Sequence, residues 1–438
     1  MEKRKSDFIY DSDINTPQSI VYALQNLIIF MASAVVMPIA VGYTLGLDQV
    51  SVAQMLQRTF FLCGVMTFLQ VKWGHGFPIQ DGPAGLWSGM YISLAGITTA
   101  AGGDLGNLRA SLECALLICG IYVMLLVSTG LINKVGKFFT HNINGLVIIL
   151  MSLQISANIM KGITGSDSEV TTFKIKSVIV GIFTLLCILM ILKFAKGFIK
   201  SIATFIGATA GWILAIFMGL SAETVSGSDS FVELPQIFAW GMPKFDVSIT
   251  ITCLIGATVL LSMCFASIEG MGQTLADGAS AQEMKRGVFF HGLAESLAGV
   301  FSTIAFMPYV SSIGVLEMTR VAAKKPFYIV SVCMVLMGIL PAVGVFFSGL
   351  PNCVGDGALL IIFAMCLTQG FREIMQGGFD KKSEYVVGIS MMIGVGIMFL
   401  PTGTFDYLPS SISSIASNGM IVGVIVAFVL ERLLKDFK

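Results

Sequence analysis

Three ionisable side chains sit in apolar text where charge is expensive. In LIGATVLLSMCFASIEGMGQTLADG, Glu269 follows a long uncharged run and Gln273 comes one helical turn later. Residues four apart share a helix face, so the two can address one ligand or one another. A carboxylate at the centre of a membrane helix costs roughly 2.5 to 3.5 kcal/mol on insertion scales and is usually functional. The other two are Asp81, in GFPIQDGPAGLWSG, and His291, in RGVFFHGLAES. Hydrogen bonding to a ligand and carriage of a proton are the chemistry such groups offer. Each also has a plainer reading. Glu269 can lie at a wetted helix end, Asp81 can serve a helix start as dipole and capping partner, and His291 can be a packing histidine partnered by Glu295. Glu317, one turn into a helix, reads as structural.

The elements that position these groups are membrane spans. Of 438 residues 55% are hydrophobic and 12% charged, at mean hydropathy +0.86, more apolar surface than a soluble core of this size can bury. Apolar runs recur from Tyr22 to Val429, and at roughly 20 residues per crossing they predict about fourteen helices in an all-α polytopic fold. The polar start MEKRKSDFIYDSDINTPQ runs into a long first span with no short apolar core or cleavage site, which predicts an uncleaved first helix. The longest polar insert, residues 221–246, has room for a small cap at most.

With both termini cytoplasmic, only Arg58, Arg109, Lys161, Lys174, Lys176 and Lys244 of the 26 basic residues fall outside, and this bias predicts an even number of spans. Net charge is zero, so nothing calls for nucleic acid or an acidic partner. The nine cysteines lie mostly in apolar runs without CxxC or Cys/His spacing and read as packing residues. HExxH, GxSxG and Walker loops are missing from the text, so the sequence predicts no catalytic residue, metal or cofactor.

Two stretches break their own helices. FMPYVSSIGVLEMTR, residues 306–320, packs a proline, two serines and a glycine into an apolar segment. A shift of 230 residues sets Pro308 on Pro78, Asp81 with Ser311 and Ala84 with Gly314, each copy at the third span of its half. Proline removes a backbone donor and disfavours helix just before it, which predicts a short extended piece followed by a half-helix. Pro83 suits the first turn of one half-helix and Ser311 or Ser312 can cap the other. Paired broken helices at the bilayer midplane mark transporter binding sites, where half-helix N-termini offer free N–H groups to a ligand. Ordinary Pro/Gly kinks are the plain alternative.

At these residues the chain resembles the nucleobase–ascorbate transporter family, also called nucleobase:cation symporter-2 or the uracil/xanthine permeases, over nearly its whole length. The family signature Gln/Glu/Pro-Asn-x-Gly-x-x-x-x-Thr-Arg/Lys/Gly is followed in spacing by Ser311 through Arg320, with Gly314, Thr319 and Arg320 matching. LQNLIIFMASAVVMP, IEGMGQ and LPNCVGDGALL are further family-like text, and GPAGLW with YVSSIG is similar to the purine permease branch.

The resemblance implies a 7+7 inverted repeat, with short strands breaking helices 3 and 10. It implies core segments 1–133 (spans 1–4) and 247–350 (spans 8–11), gate segments 134–246 (spans 5–7) and 351–438 (spans 12–14), and a homodimer in the cytoplasmic (inner) membrane. The expected activity is proton symport of a nucleobase, purine before uracil, by an elevator-like motion. Carried over by position, Glu269, Gln273, Tyr309, Ser311, Ser312, Ala84 and Gly85 bind the base, while Glu269, Asp81 and His291 serve proton coupling. Ser311 and Ser312 stand where relatives have Gln or Glu and Asn. A hydroxyl reaches less far than an amide or carboxylate. Asp81, set with Ser311 by the shift of 230, is therefore the candidate for the missing acid.

Overall fold

Short polar residues start many of these helices. The computed structural model describes residues 8–131, 140–165, 174–220, 230–401, 404–405, 407–408 and 410–434. The expected junction between residues 133 and 134, both termini and the front of the 221–246 insert lie outside them. The elements are α1 (Thr16–Ala34), α2 (Val36–Thr44), α3 (Gln49–Lys72), β1 (Asp81–Pro83), α4 (Gly85–Ala100), α5 (Leu105–Ser128), α6 (His141–Thr164), α7 (Ile175–Phe194), α8 (Phe198–Ser201) and α9 (Ala203–Phe217). After the insert come α10 (Val247–Leu275), α11 (Ala281–Val300), β2 (Phe306–Pro308), α12 (Ser311–Thr319), α13 (Lys325–Ile339), α14 (Pro341–Ser348), α15 (Asn352–Gln376), α16 (Lys381–Met398), α17 (Ser410–Ala416) and α18 (Gly419–Leu433).

Side-chain caps satisfy helix-start N–H groups that no intrahelical carbonyl can reach. Asn15 and Gln18 form a reciprocal capping box on α1, and Ser280 and Glu283 do so on α11. Asp48, Asp104, Asp246 and Asp380 cap α3, α5, α10 and α16. The Gly106 and Asn107 N–H groups hold the exposed Asp104 carboxyl below the usual carboxylate range.

Among the described residues seven helices are long and apolar enough to cross a membrane, or eight if α13 and α14, bent by 81°, count as one broken span. That is fewer than the roughly fourteen crossings expected from length and hydropathy. The difference has a structural reason: several apolar segments spend residues on strands and bends, leaving the short helices α4, α9, α12 and α14. The chain is a multi-pass, mostly helical membrane protein.

The largest helix contacts pair α6 with α15, α5 with α11, and α3 with α13. Small residues let these backbones approach, as is usual where lipid gives no hydrophobic drive for helix association. A side chain added at Gly145 would stand 2.5 Å from the Gly370 carbonyl oxygen, and one at Gly120 would collide with Gly292 and Ser296. All nine cysteines are free thiols.

Between α9 and α10 the described part of the insert is a strap rather than a cap. Its backbone N–H groups are held by α5 and α11: Phe238 donates to the Val300 carbonyl (2.7 Å), Trp240 to Glu113 Oε1 (3.1 Å) and Lys244 to the Ala110 carbonyl (3.1 Å). Glu113 also accepts from the Ser302 hydroxyl.

β1 and β2 form a two-stranded antiparallel sheet, Asp81 opposite Pro308, Gly82 opposite Met307 and Pro83 opposite Phe306. Both expected breaks are therefore strands, but the shift of 230 is corrected. First residue matches first and last matches last, so Pro308 corresponds to Pro83, not Pro78, and Ser311 loses its correspondence with Asp81. Letter matching followed the wrong proline because Pro78 and Pro83 stand close together, with only Ile79 and Gln80 between Pro78 and the strand. Pro83 likewise ends a strand instead of opening a helical turn; Ala84 is the N-cap of α4.

Candidate functional site

The two strands are held by hydroxyl groups from neighbouring helices. The Asp81 N–H donates to Thr67 Oγ1 on α3 (3.1 Å), and the Ser267 hydroxyl on α10 donates to the Pro308 carbonyl (2.9 Å). The Ala84 N–H donates to the Ala305 carbonyl (3.0 Å) and the Tyr309 N–H to the Gln80 carbonyl (2.9 Å), extending the ladder at both ends. Because the strands run antiparallel, α4 and α12 leave the sheet at opposite ends, and their positive N-termini flank it.

Tyr309 closes this junction. Its hydroxyl donates to the Pro83 carbonyl (3.1 Å), its ring lies 6.5 Å from that of Phe30, and it covers Gly82 so closely that no Cβ fits there. Neither serine caps α12, whose N-cap is Val310 in a helical conformation with no side-chain cap bond. The buried Ser312 hydroxyl instead accepts from the Gln80 N–H (3.2 Å), because the lead-in to β1 passes within its reach. Ser311 is exposed beside it.

Glu269 lies near the end of α10, half-buried. Gln273 Nε2 donates to its Oε1 (3.0 Å), and the Ala279 N–H donates to its Oε2 (3.2 Å) across the turn that follows the helix. Two of the sequence-predicted residues thus meet each other. Gly270, next to Glu269, faces Ile313 of α12, which brings the end of α10 beside the serine-bearing half-helix.

Ala84 is buried, and Gly85 faces Met37 of α2 with Cys366 and Ile362 of α15, 3.8 and 3.9 Å from where its Cβ would stand. The start of α4 therefore abuts the expected gate. A cavity of about 540 Å³ opens between α2 and α4 on one side and α6, α7 and α15 on the other, with Tyr43, Asn158, Lys161 and Asp356 among its walls.

Asp81 and His291 lie deeper. Asp81 is 1% exposed and its Oδ2 has no hydrogen-bond partner among the described residues. His291 and Glu295 are fully buried on α11, Nε2 to Oε1 at 3.6 Å, and the Trp87 indole N–H of α4 donates to Glu295 Oε1 at 3.3 Å. The contacts of Thr67, Phe30 and Trp87 escaped the sequence reading. Trp87 alone carried a signal, an indole in the GPAGLW run that needs a partner when buried.

The signature ends structurally. Thr319 and Arg320 close α12, Arg320 in a left-handed conformation (φ 57°) with its N–H on the Leu316 carbonyl. Ile9 pairs in parallel with Val321 just beyond. A side chain at Gly314 would meet open space, so this signature glycine borders a clearing.

Residues 17–403 match the family model Xan_ur_permease, described as Permease family. Similar relatives include YwdJ of Bacillus subtilis (strain 168), named provisionally as a purine permease, at 28% identity over 94% of both chains. Uric acid permease PucK of the same organism is 24% identical over 95% of both. The transmembrane domain of the cyanobacterial bicarbonate transporter BicA superposes with TM-score 0.59 at 11% identity, covering 94% of this chain and 96% of that one. That likeness concerns the fold alone.

Proposed function

We propose a function from one premise: this chain belongs to the Permease family defined by the Xan_ur_permease model, and is a membrane transporter rather than an enzyme. Its relatives are named for purine, uric acid and xanthine transport, and nucleobase transport is the function they support. The finer reading is proton symport of a purine-type base, bound between the strand pair, the end of α10 and the face of α15.

The observation that carries this is a strand pair between two half-helix starts, with Tyr309 bonded across it and the Glu269-bearing end of α10 beside α12. Backbone N–H groups can meet ring acceptors, Glu269 can accept the N–H groups of a base, and Tyr309 or Phe30 can stack on it. Ala84, Gly85, Ser311, Ser312 and Gln273 complete the binding set, with Ser312 acting through Gln80. Asp81 keeps a proton-linked role, from within the core rather than as a contact to the base.

The division into core (α1–α5 with α10–α14) and gate (α6–α9 with α15–α18) is supported by how the helices pair. Exchanging the halves turns the α3–α13 contact into α11–α5, and α7–α9 into α16–α18, as a 7+7 inverted repeat requires. An elevator-like slide of core against gate, cytoplasmic termini and a homodimer belong to the same proposal.

Purified protein in liposomes loaded at alkaline pH tests it. Labelled xanthine or uric acid accumulates when the outside is acidified, and Glu269→Gln abolishes accumulation. Accumulation driven by sodium and indifferent to pH overturns proton coupling. Anion transport would favour a basic group, yet the side chains that hydrogen-bond the strand backbone here are those of Thr67, Ser267 and Tyr309. Bicarbonate or sulfate uptake without base uptake overturns the nucleobase reading.

A further inference from the structure

The pair His291–Glu295 lies behind the site, in the part of α11 that packs against β2 and α5. Glu295 receives one donor, the Trp87 indole at 3.3 Å, and its Oε2 has no hydrogen-bond partner among the described residues. Neither ring nitrogen of His291 has one of good geometry, and the backbone of Phe306 on β2 is the polar group that acts on the imidazole. The other titratable groups that act on Glu295 are Tyr91 from α4, Cys119 from α5, and Cys253 and Cys264 from α10, all buried. No Lys or Arg is among them.

A bare carboxylate in such surroundings is far more costly than a neutral or ion-paired one. One proton removes the cost, whether it sits on the carboxyl group or on the imidazole 3.6 Å away. Glu269 differs, since two donors meet its oxygens at a half-buried helix end. The two acids are thus suited to separate tasks.

Trp87 links Glu295 to the strand pair. It is the third residue of α4, whose N-cap Ala84 is bonded into the strand pair. Any shift of the α4 start on base binding moves the one donor that Glu295 has.

We propose that the Glu295–His291 pair is the binding site of the co-transported proton, with Trp87 as the positioning residue that couples it to the base. The proposal rests on the proton-symport reading and adds where the proton sits.

Liposomes holding wild type, Glu295→Gln or Glu295→Asp provide the test. In Glu295→Gln, the Kd for xanthine or uric acid should stay within about threefold of wild type. Exchange of labelled for unlabelled base should persist, flat across about pH 5 to 8, while accumulation driven by a pH gradient is lost; Glu295→Asp should regain part of it. Accumulation by Glu295→Gln equal to wild type, or an unchanged pH profile of exchange, overturns the proposal. If Glu295→Gln does not fold, Trp87→Phe removes the indole N–H alone and should move the pH midpoint of exchange with Kd unchanged; an unmoved midpoint overturns the proposal. Wild type accumulating base on sodium alone overturns the symport reading itself, and is seen before any variant is made.

Discussion

Ser311 and Ser312 have neighbouring positions and opposite employment. Ser312 is buried and holds the Gln80 N–H, whereas Ser311 is exposed at the start of α12. Ser312→Ala strands a buried donor and should cost about 1–3 kcal/mol, read as a lower melting temperature of the purified protein. Ser311→Ala should leave melting unchanged and alter which bases compete for uptake. Equal melting of the two variants would contradict this division. Ser311 is thus uncovered at the start of α12, and the adjacent Ser312 is committed to the backbone that leads into β1.

At the scale of elements, three-residue strands survive in a membrane interior because each is held on several sides. An isolated pair this short has too little ladder to stand alone, and backbone off the helical path is tolerated at such depth only when buried in protein or lining a cavity. The helices that supply the holding groups must approach closely. On α5 against α11, Gly120 has no room for a Cβ because Gly292 and Ser296 lie against it. Gly120→Leu should therefore push α11 away, lowering both stability and the fraction of protein that binds base. Unchanged melting and affinity in that variant would show that the crossing is looser than drawn.

In the proposed division the core and gate helices meet at several crossings, among them α4 against α6, α2 against α15 and α4 against α15. Gly85 lies close to Cys366 across that boundary, so Gly85→Cys should crosslink to the native Cys366 on mild oxidation. If transport needs core and gate to slide, the oxidised variant loses uptake and a reductant restores it relative to the same variant kept reduced. A crosslinked protein that still accumulates base would rule out sliding at this boundary. The cavity lined by Lys161 and Asp356 lies between helices of the proposed core and gate.

Much of this was legible in the letters. Hydropathy reports burial in lipid directly, so a polytopic helical fold followed from composition. Proline forbids a backbone donor wherever it stands, so Pro78 and Pro308 announced the breaks, although Pro83, read as a helical first turn, is the proline that ends β1; the signature around Gly314, Thr319 and Arg320 pointed to the family. Register was not legible: the pairing of β1 with β2 joins segments from opposite halves of the chain, held in place by the Thr67 and Ser267 hydroxyls of neighbouring helices. Nor could spacing show that Ser312 would turn to Gln80, or that Trp87 would stand over Glu295, 208 residues away. Periodicity along one helix reports which face is apolar. Which partner a buried polar atom meets is decided by the packing of helices against one another, and only the tertiary structure contains that.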